Sequence, residues 1–273
     1  MKRCRVVRST LVATGALVVA LVAPGVDAAP GTSVPSFEEF RASTVRDADQ
    51  QYIVNGDEPV ANTAALRSYY EGMVGTASPK LNEAGLVVNT VGGSDDRWTR
   101  AEVGRLTYCV SNRFAARKAA VVRAAAQGAA LWENASSAID YVRVRSADAS
   151  CTTRNNRVVF SIEPTASQAF IARAFFPSSR DNRRNILINP VSLLTTPDWP
   201  ARNILGHELG HTLGFRHEHT RPEAGVCFED VSWRPLTDYD SASIMHYPQC
   251  NGTSTDLSFT ATDAEGVAEL YGP

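Results

Sequence analysis

All five histidines of this 273-residue chain fall between positions 207 and 246. Three of them sit in one run, His207-Glu208-Leu209-Gly210-His211-Thr212-Leu213-Gly214-Phe215-Arg216-His217. No other stretch constrains the fold as much. On an α-helix, positions four apart share a face, so His207 and His211 can aim two imidazoles at one point. Glu208 lies one position along, beside that point. Gly214 accepts the left-handed backbone that closes a helix, and the chain can then return His217 from another direction. Three nitrogens leave one position open, the arrangement of a catalytic rather than a structural zinc. A carboxylate next to it suits a general base acting on water. Trp199-Pro200-Ala201 reads as the helix start, and Ile204, Leu205, Leu209 and Leu213 as its core face. H-E-x-x-H alone can arise by chance on any amphipathic helix; Gly214 and His217 extend it past that reading.

The amino terminus reads as an export signal over residues 1–28. Lys2, Arg3, Arg5 and Arg8 precede a short apolar core from Leu11 to Ala23, and Val26-Asp27-Ala28 ends in a small residue ahead of a cut before Ala29. The apolar core is short of the roughly 20 residues that cross a bilayer. Removing the signal takes four basic residues and one acid from totals of 27 and 29, leaving a net charge of −5. That balance argues against nucleic acid as a partner, since phosphate binding needs clustered positive charge. No later apolar run is long enough for a membrane helix. Cys4 leaves with the signal. Four cysteines remain, and an even count in an exported chain points to two disulfides. Of the three pairings, Cys109–Cys151 with Cys227–Cys250 is favoured, because each bridge then closes a loop within one half of the catalytic region.

Downstream lies Ser243-Ile244-Met245-His246-Tyr247, and His217 continues as Glu218-His219-Thr220-Arg221. Together with the histidine run, these segments resemble the metzincin zinc endopeptidases, and within them the astacin branch, whose methionine turn is written S-x-M-H-Y. The resemblance implies one zinc per chain held by His207, His211 and His217. It implies Glu208 as general base and then general acid, Met245 as an apolar floor, and Tyr247 as an additional zinc ligand that swings away to hydrogen-bond the tetrahedral intermediate. A phenol suits that double role. His246 reads as structural. The acidic run that follows the arginine in astacins is replaced here by Pro222-Glu223-Ala224-Gly225-Val226-Cys227. The cysteine pattern also differs, and a bacterial astacin-type or related HEIGH-type peptidase accommodates both departures.

Residues 29–97 are polar and broken by Gly and Pro, and read as a pro-segment, with Gly92-Gly93-Ser94-Asp95-Asp96 as an exposed linker and 98–273 as the peptidase domain. Within the pro-segment, Tyr52-Ile53-Val54-Asn55-Gly56-Asp57 resembles the F-x-G-D motif of astacin propeptides, which implies Asp57 as a latch on the zinc. An Asn-Gly-Asp turn between two short strands is the plainer reading. Segments 64–73 and 86–91 read as short elements. From Trp98, strands are expected at 105–110, 139–144, 157–162, 169–176 and 185–189, with a long helix at 115–135. This order fits an α+β fold: a mixed twisted sheet with two long helices above a zinc cleft, and a smaller irregular C-terminal subdomain ending in a helix. Residues 169–176 are the candidate edge strand for an extended substrate. Thr262-Asp263-Ala264-Glu265 reads as the capping box of the last helix.

The function expected is a secreted zinc metalloendopeptidase, monomeric, made as a zymogen, acting on protein or peptide and independent of membrane once the signal is gone. Two other readings compete. One is a narrow-specificity peptidase for cell-wall peptide or a single cognate partner. The other is a zinc-bound binding module without catalysis, which the intact Glu208 and Tyr247 oppose. Calcium has no support beyond Asp181-Asn182 and Asp238–Asp240, which solvated loops explain better.

Overall fold

A computed structural model describes residues 34–75 and 86–273; the signal read at 1–28 lies outside the described residues. The chain opens with α1 (Phe37–Ser43), whose first turn is closed by a capping box between Ser36 and Glu39. Strands β1 (Val45–Arg46), β2 (Tyr52–Val54) and β3 (Glu58–Val60) form an antiparallel sheet in that order. Helix α2 (Thr63–Val74) follows, capped by Asn62. Among the described residues, the buried core of this N-terminal unit is Phe37, Tyr52, Val54, Leu66 and Tyr69, with Phe40, Val60, Tyr70 and Met73 packed against it. So small a core needs outside support. The unit finds it on the rest of the chain, where Ile53 packs on Phe170 and Leu187.

The main body runs through β4 (Val87–Val91), β5 (Ser94–Asp95), α3 (Arg100–Val103), β6 (Leu106–Val110), α4 (Lys118–Ala135), β7 (Tyr141–Arg143), β8 (Phe160–Pro164), β9 (Ala172–Arg173), β10 (Asn185–Ile188), α5 (Pro190–Thr195), α6 (Ala201–Thr212), β11 (Trp233–Pro235) and α7 (Ala261–Tyr271). Its central sheet has the order β7-β6-β8-β10-β9. The first four strands are parallel, and β9 runs antiparallel to β10 at the edge. Parallel neighbours require crossovers, and α4 supplies the one between β6 and β7. Helices α4 and α6 meet backbone to backbone: a Cβ on Gly128 would stand 2.6 Å from the Gly206 nitrogen. Trp132 of α4 donates to the Gly206 carbonyl at 2.8 Å and stacks on Phe215. The mixed sheet with two packed helices is the α+β arrangement expected, and α7 closes the largely irregular stretch that follows α6.

Four details differ from the sequence reading. The boundary at 97/98 does not follow the packing. Val87–Val91 pairs with β11, Leu86 lies in the main core, and the Gly92-Gly93 linker is the turn of the β4–β5 hairpin. An exposed hairpin turn and a linker share one composition, so sequence cannot tell them apart. The long helix begins at Lys118, because Asn112–Arg117 is a 3-10 turn with Ala115 at φ 50°. The expected strand at 169–176 contributes only Ala172–Arg173 to the ladder, though at the sheet edge. The last helix is capped by Thr260 with Asp263, not by Thr262 with Glu265. Cys109 is joined to Cys151 and Cys227 to Cys250.

Candidate metal centre

Helix α6 is buried from Asn203 to Thr212, so its last carbonyls need partners other than water. Tyr141 donates to Leu209 O, Trp98 to Thr212 O and Tyr271 to Leu213 O. With its end so fixed, the helix presents His207 and His211 together. Gly214, at φ 101°, then reverses the chain; a Cβ there would lie 2.0 Å from the Asp96 carbonyl oxygen, so no larger residue fits. Past the turn, β4 guides the return. Asn89 N donates to Gly214 O, Arg216 N donates to Val87 O, and Phe215 bridges Val88. The third histidine is thus delivered by a strand, Val87–Val91, that lies 126 to 130 positions upstream, which no local pattern announces.

All three rings are held from behind. His207 Nδ1 meets Ile244 O at 2.7 Å, His211 Nδ1 meets Phe215 O at 2.8 Å, and His217 Nδ1 meets Glu229 Oε1 at 2.7 Å. Such outer partners fix tautomer and orientation in metal-ligating histidines, and they leave every Nε2 facing inward. There the Nε2 atoms of His207, His211 and His217 lie 3.1, 3.5 and 3.2 Å from the carboxylate of Asp57. The residues fit a zinc ion. The Nε2 atoms of His207 and His217 are 3.3 Å apart, and two nitrogens bound tetrahedrally at zinc distances stand roughly 3.3 Å apart. His211 Nε2 and Asp57 Oδ1 are buried without a hydrogen-bond partner, a deficit that a cation shared by the group Asp57, His207, His211 and His217 would satisfy; Glu208 Oε2 is also buried without a partner.

Asp57 reaches this place because β2 and β3 form a hairpin whose turn is Asn55-Gly56-Asp57, with Asn55 and Gly56 both at positive φ. The turn reading holds, and the turn places the Asp57 carboxylate among the three histidines. Tyr247 donates its hydroxyl to Asp57 Oδ2, and its ring stacks on His207 and lies tilted against His217. Burial pushes the Asp57 carboxyl up, but the charges of His217 and His211 outweigh it and hold the group well below its ordinary value. Glu208 goes the other way: burial, then the charge of Asp57, raise it well above the carboxylate range. Burial likewise raises the Tyr247 phenol, with Asp57 adding to it.

Met245 is wholly buried beneath α6, its sulfur against Gly210. Its turn hangs on Asp263, which accepts from Ser243 Oγ and from the Ile244 amide. His246 stays outside the cluster, bonded to the Tyr239 hydroxyl and beside the Tyr247 carbonyl. Glu229 backs His217, and Arg216 holds Glu229 together with Asp230 and Glu58. Neither role is marked in the sequence, although Arg216 lies inside the histidine run. Asp263, which the sequence places in the capping segment of the last helix, also anchors the methionine turn.

No protein-family model matches the chain. A bone morphogenetic protein 1 homolog from Strongylocentrotus purpuratus is 26% identical over 170 residues, covering 55% of this chain and 23% of that protein. The chain thus spans about a quarter of the length of that curated relative. The solved structure of myroilysin aligns with a TM-score of 0.46 and 18% identity, over 68% of this chain and 98% of that one.

Proposed function

We propose that this astacin-like metzincin is an exported zinc endopeptidase held latent by its N-terminal unit. The observation that carries the reading is the convergence of three back-bonded imidazoles on a single buried carboxylate supplied by a separate unit. Zinc, when bound, supplies a Lewis acid that lowers the pKa of water and polarises a carbonyl. The chain's own residues do the rest. Glu208, buried beside the histidines, accepts the proton of the attacking water and passes it to the leaving amine. Tyr247 loses its acceptor when Asp57 departs, and its hydroxyl is then free to donate to the developing oxyanion. Substrate enters extended, pairing with the edge strand β9.

Release requires a cut that separates Asp57 from the histidines. A cut after Gly75, which ends the packed α2, and before Leu86, whose side chain lies in the main core, would meet that requirement while sparing both cores. The pro-segment is accordingly assigned to the residues before Leu86, and the peptidase domain to 86–273. Among the described residues, no helix is long and apolar enough to cross a membrane.

The test is Glu208→Ala in the matured, zinc-loaded protein. General acid–base help is worth about 10²–10⁴ in rate, so hydrolysis of a peptide library should drop by that factor while one zinc per chain is retained. Activity near wild type would remove Glu208 from the role.

A further inference from the structure

We propose that Glu229 is a positioning residue that ties the third histidine to Tyr247, with His219 as the link between them. The inference rests on the zinc-site reading above. Glu229 is 5% exposed and lies in the loop that leads to β11. Its Oε1 stands 2.7 Å from His217 Nδ1 and 3.4 Å from His219 Nε2. Its Oε2 accepts from Arg216 at 2.7 Å. His219 is itself buried, and its Nδ1 accepts the backbone N–H of Tyr247 at 3.2 Å. A ring nitrogen that accepts from an amide carries no proton, so in the neutral imidazole the proton sits on Nε2, facing Glu229. The same carboxylate oxygen therefore bonds one imidazole N–H at 2.7 Å and faces a second at 3.4 Å. One belongs to the histidine that faces Asp57, and the other to the ring that holds the backbone of Tyr247.

The ring geometry agrees. His219 stacks on His217 at 4.6 Å and on Tyr247 at 5.2 Å, and the His217 and Tyr247 rings are themselves 4.6 Å apart, so the three rings form one triangular cluster. A covalent tie spans the same gap. Cys227, two residues before Glu229, is bonded to Cys250, three residues after Tyr247. The loop carrying Glu229 and the turn carrying Tyr247 thus move as one piece. Arg216, two residues past the Gly214 turn, pins Glu229 to the returning chain. A tyrosine that must stay close to the metal while changing partners needs its backbone fixed. This network fixes it relative to His217 without restraining the phenol.

The competing reading of His217, His219 and Glu229 is a second metal site, since their ligand atoms lie within 4.8 Å of one another. The 2.7 Å separation of Glu229 Oε1 from His217 Nδ1 is a direct hydrogen bond.

The experiment uses matured protein carrying Glu229→Gln, with His219→Asn as a second variant that leaves the His217 contact in place. Zinc affinity is read by chelator competition, separately from kcat and KM at saturating zinc. Loss of an outer partner of this kind typically costs about 10–100-fold in metal affinity, and that loss is expected for Glu229→Gln. For His219→Asn, zinc affinity should be retained while kcat falls with KM unchanged. In either variant, adding Tyr247→Phe should cost less than it does in the wild type, because the tyrosine is already misplaced. Unchanged zinc affinity and kcat in Glu229→Gln would overturn the proposal, as would an undiminished effect of Tyr247→Phe in both backgrounds. A second zinc bound by the wild type and lost in Glu229→Gln would also overturn it, making the cluster a metal site. Failure of the wild type to bind any zinc would instead sink the zinc-site reading beneath it.

Discussion

The histidine cluster is closed from two sides, and the two closures are built differently. The roof is the N-terminal unit. Among the described residues its own buried core is five side chains, and it is held down by charge. Asp57 faces the histidines, Glu58 meets Arg216 at 3.3 Å, and Asp47 and Asp49 meet the fully buried Arg173 at 2.7 and 3.0 Å. The floor is the methionine turn. Met245 and Ile244 are wholly buried against Gly210 and Gly206 of α6, and their turn hangs on the buried Asp263. Ion pairs between separate pieces vanish when one piece leaves, whereas close packing within one core does not. Under the proposed function the roof would be the removable closure and the floor the permanent one.

That contrast breaks most readily at Arg173. Replacing Asp47 and Asp49 by Ala leaves its guanidinium buried with only Asn185 as partner. Stranding one member of a buried pair costs about 3–5 kcal/mol. Amide exchange at Tyr52–Val54 should accelerate correspondingly, with α6 unaffected. Unchanged protection of those strands would mean that apolar contact, not charge, holds the roof.

The floor is sharpened by pH. Burial pushes the Asp263 carboxyl up to about 6, above its value of about 4 in an unfolded chain. Between those values the native state holds a proton that the unfolded state has lost, so stability falls as pH rises from about 4 to about 6 and levels off beyond. Two units amount to about 3 kcal/mol. Denaturant titrations across that range should show the slope in the wild type and lose this part of it in Asp263→Asn. An identical slope in both would free the turn from its dependence on Asp263. The smallest effect is expected for Gly210→Ala. A Cβ there would lie 2.6 Å from Met245 Sδ and 2.7 Å from the Trp132 ring. Overpacking of this kind costs about 1–3 kcal/mol, partly offset by the better helix propensity of alanine. A variant more stable than wild type by denaturant unfolding would show that the floor has room to give.

What could be read in the sequence follows the same division. His207, His211, Glu208 and Gly214 are legible because helix periodicity and a left-handed stop are local properties of neighbouring residues. The methionine turn was legible only through family likeness, and Asp57 only as a short motif with a plausible turn alternative. The supports of the site were not legible, since they depend on packing between distant segments. Val87 and Asn89 set the path to His217 across more than 120 positions, and Glu229 reaches it from an irregular loop. The capping box shows the limit within one short segment. Thr260 with Asp263 and Thr262 with Glu265 both match the pattern, and the contact of Asp263 with Ser243 and Ile244 decides between them. The pairing of β4 with β11 across the expected boundary at 97/98 was not legible for the same reason.

The central claim is that Asp57 occupies the place where the reaction would occur. Its most direct test is peptide hydrolysis by the uncut, zinc-loaded chain, compared between wild type and Asp57→Ala. The account predicts cleavage by the variant and none by the wild type, with equal zinc content in the two. An uncut Asp57→Ala chain that carries its zinc and stays as silent as the wild type would contradict it.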